Sequence, residues 1–300
     1  MGSGKSLLSE WVRLARPFSL TASAVPVLLG TALALRDGAF AWATFLVMLL
    51  ASLLIQAATN MFNEFYDEKR GLDTAASVGI AGSIVAGRVE ARHVLRGALA
   101  CYAFALLLGL YLVAVAGWAI MLLQLVCMLC GYFYSGGSRP IAYTPAGEAA
   151  VFLFMGVLIV VAAYAVQTSS FPLDVAFASV PMGALVAAIL LANNIRDLQS
   201  DRRGGRRTLP IVLGRKVGIL VYRFLLVGSY AALVALIVFG VVPMAAVGAL
   251  LSAPLALLLW SAISASTASD RLDATVKGTA GIHGIFGLLY VAGIWAASVF

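Results

Sequence analysis

The sequence predicts an all-α integral membrane protein: about nine transmembrane helices in two four-helix halves plus one, with the N-terminus in the cytoplasm. Three observations carry that prediction. Of the 300 residues, 62% are hydrophobic and only 11% charged, whereas a soluble domain carries about 25% charged residues. The apolar residues fall in runs near the roughly 20 needed to cross a bilayer as a helix, too long for barrel strands. The 20 Lys and Arg residues segregate to alternate loops, as the positive-inside rule requires.

In chain order, Ser6–Arg16 (SLLSEWVRLAR) comes first and places Leu7, Leu8, Trp11, Val12 and Leu14 broadly on one face. That pattern reads as an interfacial helix lying along the membrane, so residues 1–16 form a surface element ahead of one transmembrane domain, 17–300. The GSGKS at Gly2–Ser6 has the look of a P-loop fragment, but it lacks the first glycine and the preceding strand. Spans follow at about 18–35, 40–62, 94–116, 118–134, 149–167, 175–195, 217–240, 243–264 and 279–299. The first is longer than a signal-peptide core and no A-x-A-like site follows it, so no cleaved leader is expected.

With the N-terminus inside, Lys5, Arg13 and Arg16 are cytoplasmic. The same side receives Lys69, Arg70, Arg88, Arg92, Arg96 and Arg139, then Arg196, Arg202, Arg203, Arg206, Arg207, Arg215, Lys216 and Arg223, and last Arg271 and Lys277. Arg36 alone falls outside. A net charge of +7 therefore marks topology and lipid headgroups, and no nucleic-acid partner is expected.

N-x-x-x-D occurs at Asn63–Asp67, where the second span ends, and again at Asn193–Asp197, where the sixth ends. This echo divides the chain into parallel halves, about 18–134 and 149–264, with the last span added. Parallel repeats put equivalent sites on one membrane face. In the first cluster Asn60, Asn63, Glu64 and Asp67 recur at three- and four-residue spacing and line one helix face. Gly71 then ends the helix and lets Asp73 turn back. In the second, Asn193, Asp197 and Asp201 stand at i, i+4 and i+8. A solvated cap explains any single Asp of this kind. Two matched faces beside lipid ask for a polar cavity, a partner or a metal, and carboxylate and amide oxygens suit a hard ion such as Mg²⁺ shared with a phosphate.

Basic residues complete the pattern. R202-R-G-G-R206-R207-T208 is a glycine-hinged loop directly after the acidic helix end, and Y134-S-G-G-S-R139-P-I-A-Y143 adds Arg139 and two tyrosines. A diphosphate needs both metal and guanidinium contacts. Arg215, Lys216 and Arg223 are assigned to lipid headgroups. Cys127 and Cys130 form a C-x-x-C inside an apolar run and read as packing residues. His283 reads as a hydrogen-bonded packing residue and His93 as solvated.

N-x-x-N-E-x-x-D-x-x-x-G-x-D, NNIRDLQSDRRGGRRTLPIVLGR and YSGGSRPIAYTPAGEAAVFLFMG resemble, in order, the motifs of the UbiA superfamily of intramembrane prenyltransferases. Within it they look like the 1,4-dihydroxy-2-naphthoate prenyltransferases of menaquinone synthesis. The likeness runs from Arg16-Pro17 to about residue 215. Glu64 stands where the family usually has Asp, and the loop near Gly82 lacks a basic residue often found there.

The resemblance implies Mg²⁺-dependent transfer of a polyprenyl group from its diphosphate to a dihydroxynaphthoate, with loss of the acceptor's carboxylate. It implies a multi-pass enzyme of the cell membrane with its site facing the cytoplasm. Two Mg²⁺ ions would be held by Asn63, Asp67, Asp73, Asn193, Asp197 and Asp201, of which the four aspartates are the catalytic set. Asn60, Asn63, Arg139, Arg206 and Arg207 would meet the diphosphate. Tyr134 or Tyr143 would orient the acceptor or the diphosphate, or serve as interfacial belt tyrosines. Glu64 or Asp73 would deprotonate a phenol. Another aromatic acceptor (homogentisate, hydroxybenzoate or a tetrapyrrole) stays open. A cation-coupled transporter is the rival from another class, but transporter sites lie near the midplane on broken helices, not at helix ends.

Overall fold

The computed structural model describes residues 7–74, 77 and 81–299; GSGKS, Lys5 and the start of the interfacial segment lie outside them. Among the described residues nine helical segments are long and apolar enough to cross a membrane. The first element is α1 (Leu7–Ala15), followed by α2 (Pro17–Arg36) and α3 (Trp42–Lys69). Next come α4 (Ala91–Ala116) and α5 (Trp118–Ser135). One span is composite: α6 (Gly147–Val151), a π-helical stretch Phe152–Leu158, and α7 (Ile159–Thr168). After α8 (Leu173–Arg196), two short helices, α9 (Leu198–Arg203) and α10 (Leu209–Val212), precede α11 (Arg215–Val238). The 3₁₀ stretch Met244–Ser252 runs into α12 (Ala253–Ala265), and α13 (Ser269–Val299) closes the chain.

Side-chain size decides which spans are central. Small buried residues fill α8 (Ala178, Ser179, Gly183, Ala184, Ala187, Ala188 and Ala192), and it packs against α2, α7, α11, α13 and the π stretch. Helices rich in small residues approach closely, which is what holds bundles together where lipid is as apolar as leucine. A Cβ on Gly156 would overlap the Cα of Gly183, and one on Gly30 would overlap the Val160 carbonyl. Gly156→Ala is expected to cost ~1–3 kcal/mol by overpacking and to lower the melting temperature of the purified protein by several degrees. An unchanged midpoint would mean that this crossing is loose.

The outer helices show the opposite pattern. Leu107 and Leu110 of α4, Leu122 and Leu129 of α5, Leu220 and Phe224 of α11, and Leu257 and Leu258 of α12 are exposed, as lipid-facing leucines are. Trp42, Trp118 and Trp295, also exposed, mark the end opposite the acidic motifs, where an aromatic belt belongs.

Two helices outrun their apolar spans. The α3 helix continues past the apolar bound of 62 to Lys69, up to the stop expected at Gly71, so the first acidic cluster rides on the spanning helix itself. Likewise α13 starts at Ser269, not 279, which puts Arg271 and Lys277 on a helix rather than in a loop. Hydropathy cuts off at charged residues, whereas the helix is carried on by Leu272, Thr275, Val276 and Thr279, all buried. On α1 the expected single face is split. Leu14 is buried and Trp11 packs against the same apolar cluster, beside Gly97, while Leu7, Leu8 and Val12 are exposed.

Candidate active site

Both acidic motifs end in the same helix cap. At the end of α3, Gly71 has φ +69°, its N–H donates to the Glu68 carbonyl at 2.8 Å, and Leu72 N–H donates to the Asp67 carbonyl at 2.9 Å. At the end of α9, Gly205 has φ +76°, its N–H donates to Arg202 at 3.2 Å, and Arg206 N–H donates to Asp201 at 2.9 Å. These are paired Schellman caps, each closed by a glycine free to adopt positive φ. They put Asp67 and Asp201 at the same position of equivalent caps, which shifts the sequence echo by four residues: Asn63 and Asp67 correspond to Asp197 and Asp201.

Arg206, the residue after the second cap glycine, joins the two motifs. Its Nη2 donates to Asp67 Oδ2 at 2.7 Å and its Nη1 to Asp201 Oδ1 at 3.1 Å. The Tyr143 ring lies 5.0 Å behind the guanidinium and 5.1 Å from that of Arg70. Asn63 Nδ2 donates to Asp67 Oδ2 at 2.9 Å and to Ser135 Oγ at 3.2 Å. Asp197 marks a break between α8 and α9, with φ −92° and ψ 7°, and its carboxylate is gripped by Arg196.

A cavity of about 1140 Å³ lies beneath these groups. Its head is lined by Asn60, Asn63, Asp67, Asp73, Tyr134, Asn193, Asp197, Asp201 and Arg206. Its body is apolar, with Ile55, Met48, Leu112, Ile120, Phe154 and Leu158. Asp67 and Met48 are 19 residues apart on α3, ~28 Å at 1.5 Å per residue, so the cavity reaches most of the way across the bundle.

Three expected residues are not brought to the cavity wall. Arg139 is exposed, because Gly137 at φ +78° turns its loop outward. Arg207 is exposed, its backbone N–H bound to the Tyr143 carbonyl at 3.0 Å. Tyr143 itself touches Arg206 and not the cavity. Asn60 does line the cavity, but its amide donates to the Ala15 carbonyl at 2.8 Å and to Ser19 Oγ at 2.9 Å, tying α3 to the α1–α2 junction.

Other assignments change as well. Arg215 lines the cavity and donates to the Ser266 carbonyl at 2.6 Å, and Arg223 donates to Trp260 and Ser264. Both thus clamp α11 to α12, where a contact with headgroups was expected. Both ring nitrogens of the buried His283 lack a hydrogen-bond partner. Arg16, not among the expected site residues, lines the cavity at φ +52° and stands 3.5 Å from Glu64. Left-handed backbone at a non-glycine residue costs of order 1–3 kcal/mol and clusters at functional sites.

The donor set fits a hard cation. Asp67 Oδ1, Asp73 Oδ2 and Asp201 Oδ2 are buried oxygens without hydrogen-bond partners, and one Arg206 stands among them. Among the described residues no three His, Cys, Asp or Glu side chains form a ready-made cage. Mg²⁺ is commonly held by a few carboxylates with the remaining ligands taken from phosphate, and the three unpartnered oxygens belong to carboxylates of that kind.

The electrostatics agree. Burial, then the charges of Asp67 and Glu64, push the Asp73 carboxyl up to about 7. Burial, then repulsion from Asp197 and Asp67, holds Asp201 at about 6 against the pull of Arg206. An unfolded aspartate titrates near about 3.9, so the metal-free fold is stabilised by protons it takes up. That contribution is complete below about pH 4 and is lost as pH rises through about 6 to about 7. A cation held by these carboxylates would replace those protons above this window. The rise in melting temperature on adding Mg²⁺ to substrate-free protein is therefore expected to be larger at pH 8 than at pH 6. Equal rises would remove these carboxylates from the cation's shell.

An acidic head thus stands above a long apolar cavity in a bundle of helices long and apolar enough to cross a membrane. Residues 23–278 match the model of the UbiA prenyltransferase family. The chain belongs to the UbiA prenyltransferase family, and is a prenyltransferase and a multi-pass membrane protein. It is 40% identical to the 1,4-dihydroxy-2-naphthoate octaprenyltransferase of Bacillus subtilis (strain 168), over 94% of this chain and 91% of that one. It is 30% identical to UbiA prenyltransferase domain-containing protein 1 of Rattus norvegicus, over 97% and 85%. A UbiA homolog from Archaeoglobus fulgidus, solved bound to GPP and Mg²⁺, shares the fold with TM-score 0.70 at 18% identity, over 97% of this chain and 100% of that one.

Proposed function

We propose that this enzyme transfers a polyprenyl group from polyprenyl diphosphate to 1,4-dihydroxy-2-naphthoate, in menaquinone synthesis, at the cytoplasmic face of the cell membrane. One observation carries the reading. The two acidic motifs meet on a single, partly buried guanidinium, Arg206, at the mouth of an apolar cavity. The acceptor is supported by the name and 40% identity of the Bacillus relative. The cytoplasmic assignment rests on the charge bias, since every Lys and Arg except Arg36 falls on the side where the motifs end.

Asn63, Asp67, Asp73, Asn193, Asp197 and Asp201 would hold magnesium. When bound, magnesium supplies the positive charge that neutralises the diphosphate and stabilises it as a leaving group. Arg206, held between Asp67 and Asp201 and stacked on Tyr143, presents a fixed guanidinium to the same oxygens. It need not reorganise as the allylic C–O bond breaks. The apolar walls (Ile55, Phe154 and Leu158 among them) keep water from the allylic cation, and the isoprenoid tail lies along them. The electron-rich ring carbon of the acceptor then forms the new C–C bond, and the ring regains its aromaticity as its carboxylate leaves as carbon dioxide. Tyr134, at the head of the cavity, would orient one of the two substrates.

The test is an assay with purified protein in liposomes, a polyprenyl diphosphate, dihydroxynaphthoate and Mg²⁺. Diphosphate release is expected to require all three additions, to stop in EDTA, and to be faster than with hydroxybenzoate or homogentisate. Full turnover in EDTA, or preference for another acceptor, would overturn the reading.

A further inference from the structure

The last span carries no motif, yet it reaches the site. Arg196 closes on Asp197 with two bonds, Nε to Oδ1 at 2.8 Å and Nη2 to Oδ2 at 2.7 Å. Its remaining edge, Nη1, donates to Oδ1 of Asp273 on α13 at 2.7 Å. The other oxygen of Asp273 pairs with Lys277, one turn on, at 2.7 Å. Arg196 and Asp273 are largely enclosed, with side chains 6% and 13% exposed, while Lys277 is 69% exposed. All four residues line the cavity.

A guanidinium forked onto a cation ligand is a burden for a site that must attract a dication. Alone, Arg196 would cancel the charge of Asp197 and repel the incoming ion. Asp273 offsets this, because one guanidinium divided between two carboxylates leaves a negative pair facing the cavity. Lys277 then restores neutrality to the group of four, from the solvent side, where its charge is better screened. The fork also fixes the direction of the Asp197 carboxylate at the break between α8 and α9, where the backbone does not hold it.

We propose that Asp273 is a positioning residue that sets the cation affinity of the site through Arg196 and Asp197, with Lys277 opposing it. The inference rests on the reading of Asp197 as a cation ligand. Its mark is opposite signs. Removing the negative charge weakens cation binding, removing the positive charge strengthens it, and removing both cancels. A salt bridge that only stabilises the fold gives no such reversal.

The experiment is a titration of substrate-free, full-length protein in nanodiscs with Mn²⁺, read by the electron paramagnetic resonance of free Mn²⁺. Asp273→Asn is expected to weaken binding about threefold or more, and Lys277→Gln to tighten it by about twofold, given the distance and screening of each charge. The double variant is expected to return close to wild type. In turnover, the Mg²⁺ concentration for half-maximal rate should shift in the same directions while kcat at saturating Mg²⁺ holds. Asp197→Asn separates the two layers. If it leaves Mn²⁺ binding unchanged, the ligand reading of Asp197 fails. If it weakens binding while Asp273→Asn and Lys277→Gln change nothing, or both weaken it, the relay is overturned and the metal reading stands.

Discussion

Asp67→Ala is expected to cut prenyl transfer at saturating Mg²⁺ about a thousandfold, with the helical circular dichroism and melting temperature of the metal-free protein close to wild type. On the proposed reading the rate falls because Asp67 serves twice: its unpartnered Oδ1 would meet a cation, and its Oδ2 holds Arg206. Losing one such fixed charge contact in a dry site costs about 10²–10³ in rate. The fold is spared for an electrostatic reason. Asp67 is one of the charges that push Asp73 up to about 7, so its loss relieves repulsion, and Arg206 still keeps Asp201. The variant is also expected to lose most of its thermal response to Mg²⁺. Turnover within tenfold of wild type would remove Asp67 from the reaction.

Arg206→Ala has the opposite stability signature. The Asp67 and Asp201 side chains are 8% and 7% exposed, and removing their shared partner leaves buried charge uncompensated, a change that costs ~3–5 kcal/mol where one member of a buried pair is lost. The melting temperature without metal should drop by many degrees, and Mg²⁺ should recover more of it than it adds to wild type. The rate should fall about a hundredfold or more, since the guanidinium proposed to meet the leaving group is gone. Arg206→Lys should restore little, because an ammonium is a point charge and does not fork between two carboxylates. A wild-type melting temperature in Arg206→Ala would show that the two motifs do not depend on this bridge.

Much of the molecule is legible in the sequence because it is local. The spans follow from runs of apolar residues, and the facing of Asn63 and Asp67 follows from helical spacing. The stop at Gly71 follows from the one residue type that takes positive φ without strain. Where hydropathy misplaced an end, at Asp67 and at Asp273, the cause is the same: it stops at a charge, while the helix continues on its buried side. Arg139 and Arg207 show a further limit. Their chemistry suits a diphosphate, but a glycine at φ +78° in one case and a backbone bond to Tyr143 in the other turn them outward. Residue type and loop membership did not reveal that direction.

By itself, the sequence determined that the chain is a bundle of about nine membrane helices, that its acids lie in two matched clusters at helix ends, and which family motifs they resemble. The tertiary structure decided which charges meet. Arg206 reaches Asp67 across 139 residues and Arg196 reaches Asp273 across 77. No local periodicity spans such distances. Such pairs form only where packed helices bring the ends of α3, α8 and α13 together, and there the surrounding low dielectric makes each pairing consequential.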